Sequence, residues 1–217
     1  MLNEYAREQM VSQQVRAWDV LDDEVLEVMR FVPREEFVPA DSRTLAFADI
    51  DIALPGGHRM LPPKVVGRIL QSLALHPGKR VLEVGTGSGF LSACMGRLGA
   101  QVRSLEISPE LAGFARANLR KTATVGVEVV TGDGLQLIRD AARYDAIALT
   151  ASMPLYDPRF EQRLEAGGRL FVVVGESAAM DARLITRLPD GGFERVSLFE
   201  TVIEPLVNAP HAEIFTF

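Results

Sequence analysis

The chain has 217 residues, 47% of them hydrophobic and 24% charged, a globular balance that excludes wholesale disorder and low-complexity repeats. With 29 acidic against 23 basic side chains the formal charge is −6, the opposite of what a phosphate backbone selects, so nucleic acid is not an expected partner. The single cysteine, Cys94, excludes an internal disulfide, the histidines His58, His76 and His211 show no ligand spacing, so no metal is expected, and no apolar run is long enough to span a membrane.

The N-terminal stretch Met1-Leu2-Asn3-Glu4-Tyr5-Ala6-Arg7-Glu8 is charged and lacks a signal-peptide core, so a cytoplasmic location is expected. Residues 3–30 read as helical. Met10, Val11, Gln14, Val15 and Trp18 share one face. Asp22-Asp23-Glu24 gives a second helix its acidic first turn, ahead of Val25, Leu26, Val28 and Met29. Pro33 and Pro39 break the pattern, and residues 40–63 look irregular, punctuated by Pro55, Gly56, Gly57, Pro62 and Pro63. Val65, Val66, Ile69, Leu70 and Leu73 predict a helix over 63–75, with Pro63 suited to its first turn.

From Lys79 the period changes. Strands are expected at 80–84, 101–106, 127–130, 144–149 and 168–174, with helices at 90–98 and 109–121. This alternation predicts right-handed βαβ units and a mostly parallel sheet covered on both faces. Two last strands, 184–188 and 194–203, predict an antiparallel edge hairpin around Pro189-Asp190-Gly191-Gly192. Cys94 falls on the helix after the first of these strands and reads as core, while His76 reads as a solvated loop residue.

The strongest motif is Glu83-Val84-Gly85-Thr86-Gly87-Ser88-Gly89, between a strand and a helix. Glycines there let the backbone turn and approach a ligand closely, at the strand end where open α/β sheets bind. A dinucleotide fingerprint needs a glycine where Phe90 stands, and no Gly-Lys-Ser/Thr follows to make a phosphate loop. The G-x-G-x-G spacing, with an acidic residue two places ahead, resembles the S-adenosylmethionine loop of class I methyltransferases. Under that resemblance Glu83 helps to place the cationic end of the ligand through ordered water or backbone groups. Glu106, at the second strand tip and followed by Ile107, can accept both ribose hydroxyls, since a carboxylate offers acceptor sites only. Asp133 in Gly132-Asp133-Gly134 can accept from an adenine amine, although alone it also fits a tight turn. Thr150, in Leu149-Thr150-Ala151-Ser152, stands where the fourth strand is expected to end and the methyl group to emerge.

Over nearly its whole length the chain resembles the protein-L-isoaspartate (D-aspartate) O-methyltransferases. The likeness rests on Val32-Pro33-Arg34-Glu35-Glu36-Phe37-Val38-Pro39, on Ala46-Phe47-Ala48-Asp49, on residues 80–98, on Gly132-Asp133-Gly134, on Tyr144-Asp145-Ala146-Ile147, on Gly167-Gly168-Arg169-Leu170 and on Glu204-Pro205-Leu206. It implies an α/β, Rossmann-like class I methyltransferase sheet, mostly parallel with an antiparallel C-terminal edge, plus N-terminal helices. It implies one domain over 1–217: an N-terminal helical and substrate-loop region, 1–75, and a cofactor-binding core, 76–217. The implied cofactor is S-adenosylmethionine. The implied acceptor is the stray carboxylate of an isoaspartyl residue in a protein or peptide, with a small-molecule acceptor as the alternative. A monomer or weak homodimer is expected.

The likeness breaks at the substrate loop, His58-Arg59-Met60-Leu61-Pro62. The family's Thr-Ile-Ser falls on Arg59-Met60-Leu61, so its serine position is Leu61, which has no donor. Arg59 and His58 stand beside the gap as alternative charge-assisted donors, although Arg59 reads first as a solvated loop arginine. Leu61 fits a variant carboxyl-methylating site, an apolar wall facing a different acceptor, or a cofactor-binding protein without isoaspartyl activity.

Overall fold

The computed structural model describes residues 2–138, 141–176 and 180–211. Its centre is a seven-stranded sheet of β3 (Arg80–Val84), β4 (Gln101–Glu106), β5 (Val127–Thr131), β6 (Tyr144–Met153), β7 (Leu164–Val174), β8 (Met180–Arg187) and β9 (Phe193–Thr201), in the order β5-β4-β3-β6-β7-β8-β9. The pairs from β5 across to β7 are parallel and the last two antiparallel, as the hydrophobic runs predict. Two-residue periodicity sorts the strand side chains between two cores. Val81, Ala146, Ala148, Phe171 and Val173 face one, and Leu82, Ile147, Leu149, Leu170 and Val172 face the other.

The first face carries α3 (Pro63–Leu73), α4 (Phe90–Arg97) and α5 (Pro109–Lys121). Each starts as its sequence suggests. Pro63 and Pro109 fill first-turn positions, and the Ser108 side chain accepts the Leu111 N–H. The N-terminal layer packs on the same core through Met10, Val11 and Val15, which follow α1 (Leu2–Gln9), and through α2 (Asp23–Phe31), whose N-cap Asp22 accepts the Glu24 and Val25 N–H groups. Between them the helix read over 3–30 is interrupted: Met10–Val15 is π-helical and Arg16–Trp18 a 3-10 turn. The wider turn accompanies burial of Met10, Val11 and Val15 together.

Several boundaries differ from the sequence expectation, among them the start of β7, which is at Leu164 and not at 168. The irregular segment 40–63 contains a small antiparallel pair, β1 (Ile52–Ala53) with β2 (Arg59–Met60). The fourth expected strand runs on to Met153, because β6 bulges against β7 between Ala148 and Ser152 rather than ending at Leu149. The crossover from β6 to β7 holds only the 3-10 turn Glu161–Arg163, and the second face is closed by that segment, by Phe160 and by the short α6 (Gly134–Leu137). The hairpin at 188–192 forms as expected, with Leu188 N–H donating to Gly192 O at 2.8 Å, but β8 begins earlier, at Met180. Among the described residues no helix is long and apolar enough to cross a membrane.

Candidate functional site

From β3 the chain adds β4 and then β5 on one side and crosses back to add β6 on the other, so the strand order reverses at β3, which opens a crevice at the carboxyl ends of these strands. A cavity of about 420 Å³ occupies it. The glycine loop forms one wall. Gly85, Gly87 and Gly89 all have positive φ (97°, 55° and 85°), a backbone that side chains bearing a Cβ rarely adopt. At Gly85 a Cβ would also strike the Thr150 hydroxyl. That hydroxyl donates to Gly85 O at 2.6 Å, with Val84 O at 3.1 Å. Thr150 thus lies inside β6, at the bulge, and not at the strand end where the sequence expectation put it.

Beneath the loop Glu83 is fully buried. Its Oε2 accepts from the hydroxyl of Ser92 and, at 2.5 Å, from that of Ser104, while Thr86 Oγ1 lies 2.6 Å from Ser104 Oγ. Because the Ser104 proton goes to Glu83, Thr86 is the donor to Ser104. Glu83 Oε1 is buried without a hydrogen-bond partner. Burial pushes this carboxyl up to about 7, against the opposing effect of the two serines, with Glu106 adding to the rise.

Glu106 is buried at the tip of β4 and accepts the Gly87 N–H on Oε2 (2.9 Å) and the Ser108 N–H on Oε1 (3.0 Å). It pins the glycine loop and keeps a lone pair free on each oxygen. Ile107 and Ser88 also line the cavity. A smaller recess continues between Glu106, Ile107 and Gly132-Asp133-Gly134. There Asp133 caps α6, accepting the Leu135 N–H at 2.9 Å, and its other oxygen accepts from Asn208 Nδ2 at 3.1 Å. The tight-turn reading and the cleft-lining one both describe Asp133.

The opposite rim is the loop over 58–62. Met60 is buried and Leu61 half-buried, and with Val66, Phe90 and Leu91 they make an apolar wall. Pro62 is the N-cap of α3. His58 and Arg59 line the mouth, where Arg59 Nε stands 3.6 Å and His58 Nδ1 3.9 Å from the Glu204 carboxylate. Desolvation raises the pKa of Asp51 at the same mouth; Arg59 opposes the rise and Glu204 adds to it.

Sequence reasoning missed two contributors. The first is the segment after β9: Val202, Ile203, Glu204, Pro205, Leu206 and Val207 roof the cleft. Ser152 N–H donates to Glu204 O and Leu206 N–H to Ser152 O, both at 2.8 Å, stitching this strap to the top of β6. The second is Arg34, fully buried, which donates to Ala46 O (2.9 Å) and Leu61 O (2.8 Å) and stacks 4.8 Å above the Phe90 ring. It therefore ties the substrate loop to the first residue of α4. Desolvation lowers its pKa to about 10, so it stays charged at neutral pH.

The family model described as protein-L-isoaspartate(D-aspartate) O-methyltransferase matches residues 5–210. A protein-L-isoaspartate O-methyltransferase of Koribacter versatilis is 36% identical, covering 93% of this chain and 90% of the relative. One of Methanoculleus marisnigri is 37% identical, covering 93% and 91%. In fold, the chain is similar to a crystal structure of a Plasmodium falciparum beta-aspartate methyltransferase in complex with S-adenosyl-L-homocysteine, with a TM-score of 0.80 at 20% identity, covering 93% of this chain and 98% of that one.

Proposed function

The chain belongs to the protein-L-isoaspartate(D-aspartate) O-methyltransferase family, and we propose that its cleft takes S-adenosylmethionine and passes the methyl group to the carboxylate of an isoaspartyl residue in a protein or peptide. When bound, S-adenosylmethionine supplies an electrophilic methyl carbon on a sulfonium. The observation that carries the reading is one cleft with two unlike rims: strand tips bearing buried carboxylates and a glycine cradle on one side, and a loop presenting Arg59 on the other.

The residues present suit that molecule. Glu83 holds an unpaired, buried oxygen under the loop, a source of negative potential for the cationic end. Glu106 and Ile107 lie where a ribose would meet the tip of β4, and Asp133 with Gly134 line the recess for the base. Gly85, Thr86, Gly87, Ser88 and Gly89 give close backbone approach, and Thr150 keeps the Gly85 carbonyl in place. On the acceptor side no general base is required, because a carboxylate is already ionised at neutral pH. The chain has to hold the acceptor oxygen in line and keep water out. Arg59 is the side chain we assign to the acceptor carboxylate, with His58 beside it, and Met60, Leu61 and Pro62 shape the wall behind.

Incubating the protein with labelled S-adenosylmethionine and an isoaspartyl peptide tests this: a base-labile ester that releases methanol is expected. Binding of S-adenosylhomocysteine without any ester would remove the carboxyl-transfer reading. Leu61 favours a second reading, in which the acceptor is a small-molecule carboxylate or phenol lying on the wall of Met60, Leu61, Val66 and Phe90. Labelling a cell extract separates the two, since only the second puts label on small molecules.

A further inference from the structure

Among the described residues, Arg59 and His58 are the basic side chains that line the cleft. Both face one carboxylate, that of Glu204, at 3.6 and 3.9 Å. Both separations are too long for hydrogen bonds, and that of Arg59 is an ionic contact. The guanidinium therefore keeps its donors free for a two-point grip on another carboxylate. The backbone of Glu204 is fixed, since its carbonyl accepts the Ser152 N–H at 2.8 Å and Pro205 bridges to Ser152. Its side chain is 46% exposed and can swing into solvent without moving the strap. An ion pair this open is weak and exchangeable.

We propose that Glu204 is a built-in competitor: its carboxylate occupies Arg59 and His58 until the carboxylate of the acceptor displaces it, and so it sets how tightly anionic acceptors are held. The inference rests on the carboxylate-acceptor reading of the site. Displacement exchanges one carboxylate for another at the same cation and involves no bond making. Asp51, also at the mouth and within the field of Arg59, keeps the guanidinium partly neutralised after Glu204 leaves. Glu204 is thus a specificity-determining residue that acts through Arg59.

The test compares the unaltered protein with Glu204→Gln, Arg59→Gln and the double variant. Two quantities are read for one isoaspartyl peptide: kcat and KM of methyl transfer, and calorimetric affinity with S-adenosylhomocysteine bound. Glu204→Gln is expected to lower KM and Kd about threefold, the scale of an exposed ion pair, with the change in KM rather than kcat. Arg59→Gln should raise both by roughly tenfold, as loss of a charged hydrogen-bonding partner does. On the Arg59→Gln background most of the gain from Glu204→Gln should vanish. A merely structural Glu204 would give the same change on both backgrounds. The proposal is overturned if Glu204→Gln leaves affinity unchanged or weakens it, or improves it equally without Arg59. Peptide binding that follows the expected pattern with no ester formed would overturn carboxyl transfer and leave this inference standing; if the unaltered protein does not bind the peptide, both are overturned.

Discussion

Glu83 concentrates two demands in one side chain. Oε2 takes hydrogen bonds from Ser92 and Ser104, Oε1 takes none, and burial lifts the carboxyl from 4.5 to about 7. Between those values the native protein holds a proton that the unfolded chain has released, so stability falls as pH rises through that window. The loss above pH 7 is on the order of 3 kcal/mol. Urea denaturation at pH 5 and pH 7.5 should show it, and Glu83→Gln should flatten the difference. A cation seated above Oε1 favours the carboxylate. Near pH 6.5, binding of S-adenosylhomocysteine should then expel a proton from the unaltered protein and not from Glu83→Gln. Calorimetry in two buffers of different ionisation enthalpy counts that proton, and equal counts would uncouple Glu83 from the ligand. Arg34 is the opposite case, a buried cation with two carbonyl partners at 2.9 and 2.8 Å. Arg34→Ala leaves both acceptors unpaired in the interior, at about 1–3 kcal/mol each. A fall in the denaturation midpoint worth about 2–6 kcal/mol is expected, with Arg34→Lys intermediate. Glu83 was legible because its spacing from the glycines carries a chemical reason. Arg34 was not, because an arginine in a sequence reads as surface and only its stacking over Phe90, a ring itself packed against Phe37, shows that it is core.

At the scale of elements, α3 is held against the N-terminal layer by closeness rather than bulk. A Cβ on Gly67 would lie 2.7 Å from Val15 Cγ1, 3.0 Å from Val20 Cγ2 and 3.2 Å from Met29 Sδ. Two effects compete in Gly67→Ala. Helix propensity gains about 1 kcal/mol, while overpacking a tight core costs about 1–3 kcal/mol. The valine methyls sit on stiff, branched side chains and cannot step aside, so overpacking wins. A net loss of about 1 kcal/mol is expected by urea denaturation, and a gain would mean that the π-helical turn at Met10–Val15 yields more easily than its burial suggests. The same balance of signals decides what could be read in advance. β3, β4 and β6 announce themselves because they are buried on both faces and read as apolar runs. β1 and β2 have two residues each, too few for any period. The strap at 202–207 has no periodicity because it crosses the strand tips instead of joining the sheet, apart from the single bridge Ser152–Pro205.

Across the whole molecule the cleft joins parts that are far apart in the chain. The loop at 58–62, the tips of β3 and β4, the bulge in β6 and the strap after β9 meet at one cavity. A ligand bridging them stabilises the native state by mass action, because the unfolded chain offers no such site. At a concentration 100 times Kd, S-adenosylhomocysteine should add about 2.7 kcal/mol. For a chain of this length that corresponds to a rise in Tm of roughly 5–11 °C. The size of the rise should discriminate between the two rims. Arg59→Gln, on the acceptor rim, should keep it. Glu106→Gln should reduce it, since one carboxylate oxygen that receives the Gly87 or Ser108 N–H becomes an amide donor facing another donor, and the acceptor left for a ribose is weakened. Because that variant also loosens the empty loop, its own unliganded Tm is the reference, and the shift rather than the Tm is compared. A shift undiminished in Glu106→Gln but lost in Arg59→Gln would place the nucleoside against the substrate loop and reverse the polarity of the whole site.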